Sequence, residues 1–241
     1  MSKKIVWIAA FMMAFDSFSQ DCQGLLLMQQ NKTIELTFYN KKGEPNGKQV
    51  YQVSNVATAG NTTTANLNSE MFDKKGNSMA KTANSIKCTS GMILIDMKMM
   101  LPQQQSEKYA SADAKAQSTY LEYPAVFHIG DALKDGNLTM DLSNHPAGGP
   151  SGPPGAPPGP PGMGQSLKLV VTDRKVEAQE SITTEAGTWN CYKISFKSKM
   201  TVKTGPFGIP ANLDGTEWFA PGFGIVKTQS KNGGTAITFI K

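Results

Sequence analysis

The residues of this chain best suited to chemistry are two histidines, three cysteines and a few carboxylates. His128 lies in "AVFHIGD", where it reads as an ordinary strand residue, and His145 opens a proline-rich run. Neither has a nucleophile motif near it in sequence, as base-assisted covalent catalysis would want. Asp96 and Glu217 have no carboxylate or histidine partner at an informative spacing. No glycine-rich phosphate cradle follows a strand and opens a helix. Cys22, Cys88 and Cys191 match no zinc spacing, and two histidines add little to them. The sequence therefore predicts no catalytic residue, no metal site and no cofactor, and the chain reads as a non-enzyme.

Apolar binding is the other chemistry on offer. Methionines cluster in "GMILIDMKMML", with Met97 and Met99 on one side of the alternation, and unbranched, polarisable Met suits irregular cavities. In "WFAPGFGIVK", Trp218, Phe219 and Phe223 supply flat faces among Pro221, Gly222 and Gly224. These five side chains are the candidate lining of a site for an apolar, lipid-like small molecule. The competing reading makes the methionines plain core and the aromatics part of a bulged hairpin.

The chain start sets the compartment. Lys3 and Lys4 precede the apolar run Ile5–Phe15, which is too short to span a bilayer. Ser17 and Ser19 then occupy small-residue positions, so residues 1–19 read as a secretory signal peptide cut after Ser19. Gln20 and Asp21 fit poorly before a lipid-modified cysteine at Cys22. Loss of Lys3, Lys4 and Asp16 lowers the net charge from +5 to +4. No other stretch is long and apolar enough to cross a membrane as a helix, so the mature chain is expected to be exported, periplasmic or outer-membrane-associated or secreted. An oxidising compartment favours one disulfide and one remaining thiol, with three pairings open. Cys22, in the flexible leading segment, reaches the most partners, which favours Cys22–Cys88.

Of the 24 basic residues only Arg174 is an arginine. The lysines are scattered and often sit at turns such as "NKKGE" and "DKKGN", unlike the clustered arginine forks of nucleic-acid grooves. Nucleic acid is excluded as a partner.

The elements that must position these residues are strands. "TIELTFYN", "GKQVYQVSNV", "GMILIDMKMML", "NLTMDL", "SLKLVVTDRKVEAQESITT" and "WNCYKISFKSKMTVK" alternate with period two, as do the segments around "TEWFAPGFGIVKTQS" and "TAITFIK". "FYNKKGE" and "MFDKKGN" are matching reversals, with "SKNGG" a looser third; Asn, Asp and Gly all tolerate left-handed backbone. One short helix is expected at 102–118, after Pro102.

"HPAGGPSGPPGAPPGPPGMG", residues 145–164, has glycines every third position from 149 to 155, then slips to 159. A collagen triple helix does not absorb that slip. The strand-like flanks make it a long loop inserted in one β-rich domain spanning 20–241, stiffened locally as polyproline II. The expected fold is mainly β: an antiparallel meander forming a strongly curved sheet, half-barrel or barrel.

"YNKKGE", "KCTSGMILIDMKMMLP", "TEAGTWNCYKISF" and "EWFAPGFGIVKTQS" together resemble a family of exported Gram-negative envelope proteins known as TapB-like or as domains of unknown function. The sharpest pieces are "AGT" plus an aromatic followed by "CYKI", and the run at 218–227; the proline-rich insertion departs from the pattern. The resemblance implies a periplasmic or surface β-rich domain, and some related domains are similar to open half-barrels that carry lipids or lipoproteins. It brings no catalytic residues. Two functions follow: a carrier holding an apolar or amphiphilic ligand inside a curved sheet, or an envelope protein-interaction or structural module with a filled interior.

Overall fold

The computed structural model describes residues 22–101, 117–118, 120–141 and 165–241. The expected signal peptide, the proline-rich insertion and most of the expected helix lie outside these residues. Among the described residues the chain forms fifteen strands and three short 3-10 turns. A meander comes first: β1 (Thr33–Asn40), β2 (Pro45–Ala59), β3 (Thr62–Asp73), β4 (Ser78–Thr89) and β5 (Met92–Asp96). Four short strands follow, β6 (Gln117–Ser118), β7 (Tyr120–Tyr123), β8 (Ala132–Leu133) and β9 (Gly136–Asp141). The second half has the long pair β10 (Gln165–Thr184) and β11 (Gly187–Thr204), then β12 (Phe207–Asn212), β13 (Gly215–Ala220), β14 (Gly224–Ser230) and β15 (Gly233–Ile240).

One sheet runs through all of them in the order β6-β9-β10-β11-β13-β14-β15-β1-β2-β3-β4-β5-β7, with β8 on β10 and β12 on β11. Every pairing is antiparallel, and the ribbon curls into a nearly closed barrel. Its two ends, β6 and β7, are consecutive in the chain with only residue 119 between them. The polypeptide itself thus steps across the seam. Asp141 pairs with Ser166, so the residues between them join two neighbouring strands.

Local chemistry explains the turns. Asn40 Oδ1 accepts the backbone N–H of Lys42 and Glu44, and Asp73 Oδ1 accepts those of Lys75 and Asn77. Gly43 and Gly76 then take positive φ, so the repeated motif is one turn used twice. Alternation sets the inner face: β10 buries Leu167, Leu169 and Val171, and β3 buries Thr63, Ala65, Leu67, Ser69 and Met71. β3 and β4 escape a hydropathy reading because part of their inner face is polar. There Tyr51 Oη donates to Gln49 (2.8 Å), Gln49 Nε2 donates to Ser69 (2.9 Å), and Ser69 meets Thr82 at 2.6 Å. Such groups are tolerated inside because they satisfy one another.

The residues before β1 close one end. Leu25 and Met28 are buried, Leu26 N–H donates to Gly222 O (3.1 Å), and Cys22 is disulfide-bonded to Cys88. Cys191 is a free, buried thiol.

Three expectations are corrected. Strand β5 stops at Asp96, whose side chain accepts from Lys98 N–H and caps a 3-10 turn, Met97–Met100. Met97 and Met99 therefore do not alternate along a strand. The last residues of the expected helix, Gln117 and Ser118, form β6. His128 belongs to the β7–β8 loop rather than a strand, where its backbone N–H donates to Asp131 Oδ2.

The disulfide closes a separation of 66 residues. Replacing both cysteines (C22A/C88A) should lower stability by about 4 kcal/mol on chain-entropy grounds. Guanidinium unfolding monitored by circular dichroism checks this, and an unchanged midpoint would show the leading segment held by packing alone.

Candidate functional site

Arg174 and Glu217 are the most deeply buried charged side chains among the described residues, and they bracket Tyr123 inside the barrel. Their positions follow from local backbone. Along β10, Val171 faces inward, and strict alternation would send Asp173 inward next. A bulge between Thr172 and Lys175, with Asp173 at φ 53°, shifts the phase. Arg174 and Val176 turn inward instead, a common use of a bulge. Glu217 comes from β13, directly opposite Ile194 of β11, and Tyr123 ends β7.

Arg174 is the point where the barrel closes. Its Nη1 donates to the carbonyls of Glu122 on β7 (3.2 Å) and Lys134 between β8 and β9 (3.0 Å). Its Nη2 donates to Glu217 Oε1 (3.2 Å). Tyr123 Oη donates to both Glu217 oxygens (3.0 Å each), and its ring centroid lies 4.6 Å from the guanidinium carbon. Phe219 stacks on the Tyr123 ring at 4.6 Å, and Phe127 bridges Phe219 and Tyr192. Lys134 and Glu122 add a surface ion pair over the same seam (2.6 Å). Gly136 of β9 has no room for a side chain: a Cβ there would sit 2.6 Å from both Leu121 of β7 and Met97.

Burial raises the Glu217 pKa above the ordinary carboxylate value, while Arg174 and the Tyr123 hydroxyl pull it partly back. Burial first, then the Glu217 charge, holds the Tyr123 phenol well above its usual range. The three side chains are buried, and their hydrogen bonds tie β7, β10 and β13 to the β8–β9 turn.

The predicted site residues do not form one wall. Met97 is fully buried over β9, and Met99 is half-buried against the core. Phe219 lies inside with Tyr123, whereas Trp218, its neighbour in the strand, takes the opposite face. There Trp218 Nε1 donates to Glu180, with the Lys227 and Lys193 amines 5.0 and 5.9 Å from its ring. Phe223 packs on Trp189 at 4.5 Å, next to Gly222, whose carbonyl accepts from Leu26 of the segment before β1. Among the described residues no cluster of His, Cys, Asp and Glu could hold a metal, and no helix is long and apolar enough to cross a membrane.

Sequence reasoning left Glu217 without a partner, noted Arg174 only as the single arginine, and passed over Tyr123. The single arginine was the one signal, and plain alternation from Leu167, Leu169 and Val171 sends its position outward.

The profile of the DUF3108-like family matches residues 29–150 and 160–238. The chain belongs to that family. Two solved structures share its fold. One is a Bacteroides fragilis protein described as exported, with a YmcC-like fold: 20% identity, TM-score 0.66, 88% of this chain and 96% of that one. The other is described as a lipoprotein of Parabacteroides distasonis: 17% identity, TM-score 0.68, 89% and 96% coverage. No curated protein matches the chain. The gap in the family match, 151–159, falls within the proline-rich insertion, so this DUF3108-like chain departs from the family pattern there.

Removing one charge of the seam should be costly. R174M leaves Glu217 buried without its counter-charge and should cost about 3–5 kcal/mol, with much of that recovered in R174M/E217L. Urea unfolding of the singles and the double measures the coupling. The pH dependence has a definite sign. Glu217 keeps its proton to higher pH folded than unfolded, so its contribution is complete below the unfolded pKa and declines as pH rises through the raised value. Tyr51 and Tyr123 are also pushed up by burial, and the Cys191 thiol is pushed up to about 11 by burial and then by Glu180. Stability should therefore fall again above about pH 9, where unfolded thiols and phenols ionise. Melting temperatures across pH for wild type and E217Q test both limbs; the acidic-to-neutral slope should flatten in E217Q.

Proposed function

We propose that the protein is an exported, non-catalytic envelope protein whose barrel is a packed scaffold and whose binding is done from its outer surface. One observation carries the reading. Phe219 and Met97, candidates for lining a ligand space, are fully enclosed by protein, with Phe219 stacked on Tyr123 and Met97 against Gly136. The carrier alternative, an apolar or lipid-like molecule held within the sheet, needs these side chains to face open space. A groove of about 510 Å³ lies between β2, β3 and β4, lined mostly by outward positions that include Val50, Gln52, Glu70, Phe72 and Lys81. It offers a partner a mixed apolar and charged surface.

Export is supported by the signal-peptide-like pattern of residues 1–19, by Cys22–Cys88, and by the exported and lipoprotein descriptions of the two fold neighbours. The TapB-like resemblance at "AGT"-aromatic, "CYKI" and 218–227 points to the same envelope location. A non-enzymatic role is supported by the seam cluster, which combines charge and a phenol but is buried among the described residues.

Native mass spectrometry of protein purified from the envelope fraction without detergent tests the proposal. The expected mass is the polypeptide beginning at Gln20 with one disulfide and no adduct. A stoichiometric lipid adduct would favour the carrier, and a mature N-terminus elsewhere would displace the predicted cut after Ser19.

A further inference from the structure

We infer that the β11–β12 hairpin docks on an anionic lipid surface. The inference deepens the proposal above and rests on binding from the outside of a filled barrel. At this hairpin the apolar inner face of the sheet runs out into solvent. Leu167, Val202 and Ile209 form one cross-strand row, and Leu169, Met200 and Ala211 the next. Leu167 is fully buried, Val202 is half-buried, and Ile209 is 67% exposed. Phe207, two residues before Ile209 on the same face, is 74% exposed. These are the two most exposed large apolar side chains among the described residues, and the hairpin presents them side by side.

The opposite face of the same strands is cationic. Lys168, Lys199 and Lys203 are exposed and fall on one face, their partners across β10–β11 being Thr201, Val170 and Ser166. None of the three has a carboxylate in ion-pair range among the described residues. From 187 to 213 the chain has four lysines and no Asp or Glu. The Lys203 stem lies along β12, its Cγ 3.3 Å from where a Cβ on Gly208 would be. An aromatic and a branched aliphatic at a tip, with lysines behind them on long stems, match a layer of acyl chains under anionic headgroups.

A second copy of the chain is the main competing occupant. β12 pairs only with β11 among the described residues, so its far edge is open. Pro206 and Pro210 lack N–H donors, which blunts that edge against strand addition. The charges of Lys199 and Lys203 on the hairpin also disfavour its meeting its own copy.

Vesicle flotation of the processed chain tests the inference. Vesicles are phosphatidylcholine alone or with about a third phosphatidylglycerol, in low salt and at about 1 M, where screening acts within about 3 Å. Binding should need phosphatidylglycerol and weaken in high salt. F207S/I209S should bind at least tenfold more weakly with an unchanged melting temperature. K199Q/K203Q should lose about 25-fold, at about fivefold per lysine near an anionic surface. The inference is overturned by an absence of flotation, by equal binding of F207S/I209S, or by equal binding to neutral vesicles. It is also overturned if sedimentation reveals a dimer that F207S/I209S abolishes. A lipid adduct in native mass spectrometry alongside these vesicle results would remove the filled-barrel reading alone.

Discussion

The barrel depends on one guanidinium. A curled ribbon has two ends that must meet, and here they meet at β7 and at the β8–β9 side of β10. No strand ladder between β7 and β9 is present among the described residues. Arg174 spans the gap by donating to a carbonyl on each side, Glu122 and Lys134, while a third bond fixes it to Glu217. Lysine could not do the same, because only a planar fork reaches three separated acceptors without being deprotonated. The arrangement is costly: desolvation of two ions is large, and Arg174 Nε is buried with no hydrogen-bond partner among the described residues. The cluster specifies which strands meet, because a closure that separated Arg174 from Glu217 would leave a buried charge unpaired.

The two barrel ends differ in the way they are finished. At one, the segment from Cys22 to Lys32 folds over the opening, fixed covalently to β4 and by hydrogen bonds to Gly222 and Val53. At the other, the reversals at Asn40–Gly43 and Asp73–Gly76 put Lys41, Lys42, Lys74 and Lys75 in solvent, and the β11–β12 hairpin extends past the core. Apolar closure at one end and cationic turns at the other give the molecule a polarity along its axis.

Much of the architecture was legible because period-two alternation and Asn/Asp–Gly turns have direct physical meanings. β1, β10, β11 and the strands around "WFAPGFG" announce themselves by large apolar residues on one face. β3 and β4 do not, because Thr63, Ser69 and Thr82 face inward and are satisfied by hydroxyl and amide partners rather than by hydrophobic burial. Met97 misled because Asp96 carries a local capping option that ends the strand, a competition that hydropathy does not register. The seam cluster was illegible for another reason. Residues 123, 174 and 217 are far apart in sequence, and Arg174 faces inward only because of the bulge at Asp173.

The same closure confines where recognition can happen. A sheet whose ends are tied to each other offers few unpaired backbone groups, so strand addition, a frequent mode of envelope-protein association, has little to act on. The inner face is committed to Tyr123, Phe127, Phe219 and their aliphatic neighbours. What remains is the outer side of the strands, where Trp218 is capped by Glu180 and two lysines, and the hairpin that overruns the barrel. The outer strands carry polar side chains already paired across the ladder, such as Lys48–Glu35 and Ser195–Glu177. β12 differs on both counts among the described residues, since Phe207 and Ile209 are exposed there and Lys199 and Lys203 have no ion-pair partner. In a fold whose sheet ends are tied together and whose core is filled, that strand is where desolvation and charge neutralisation can still be gained by contact.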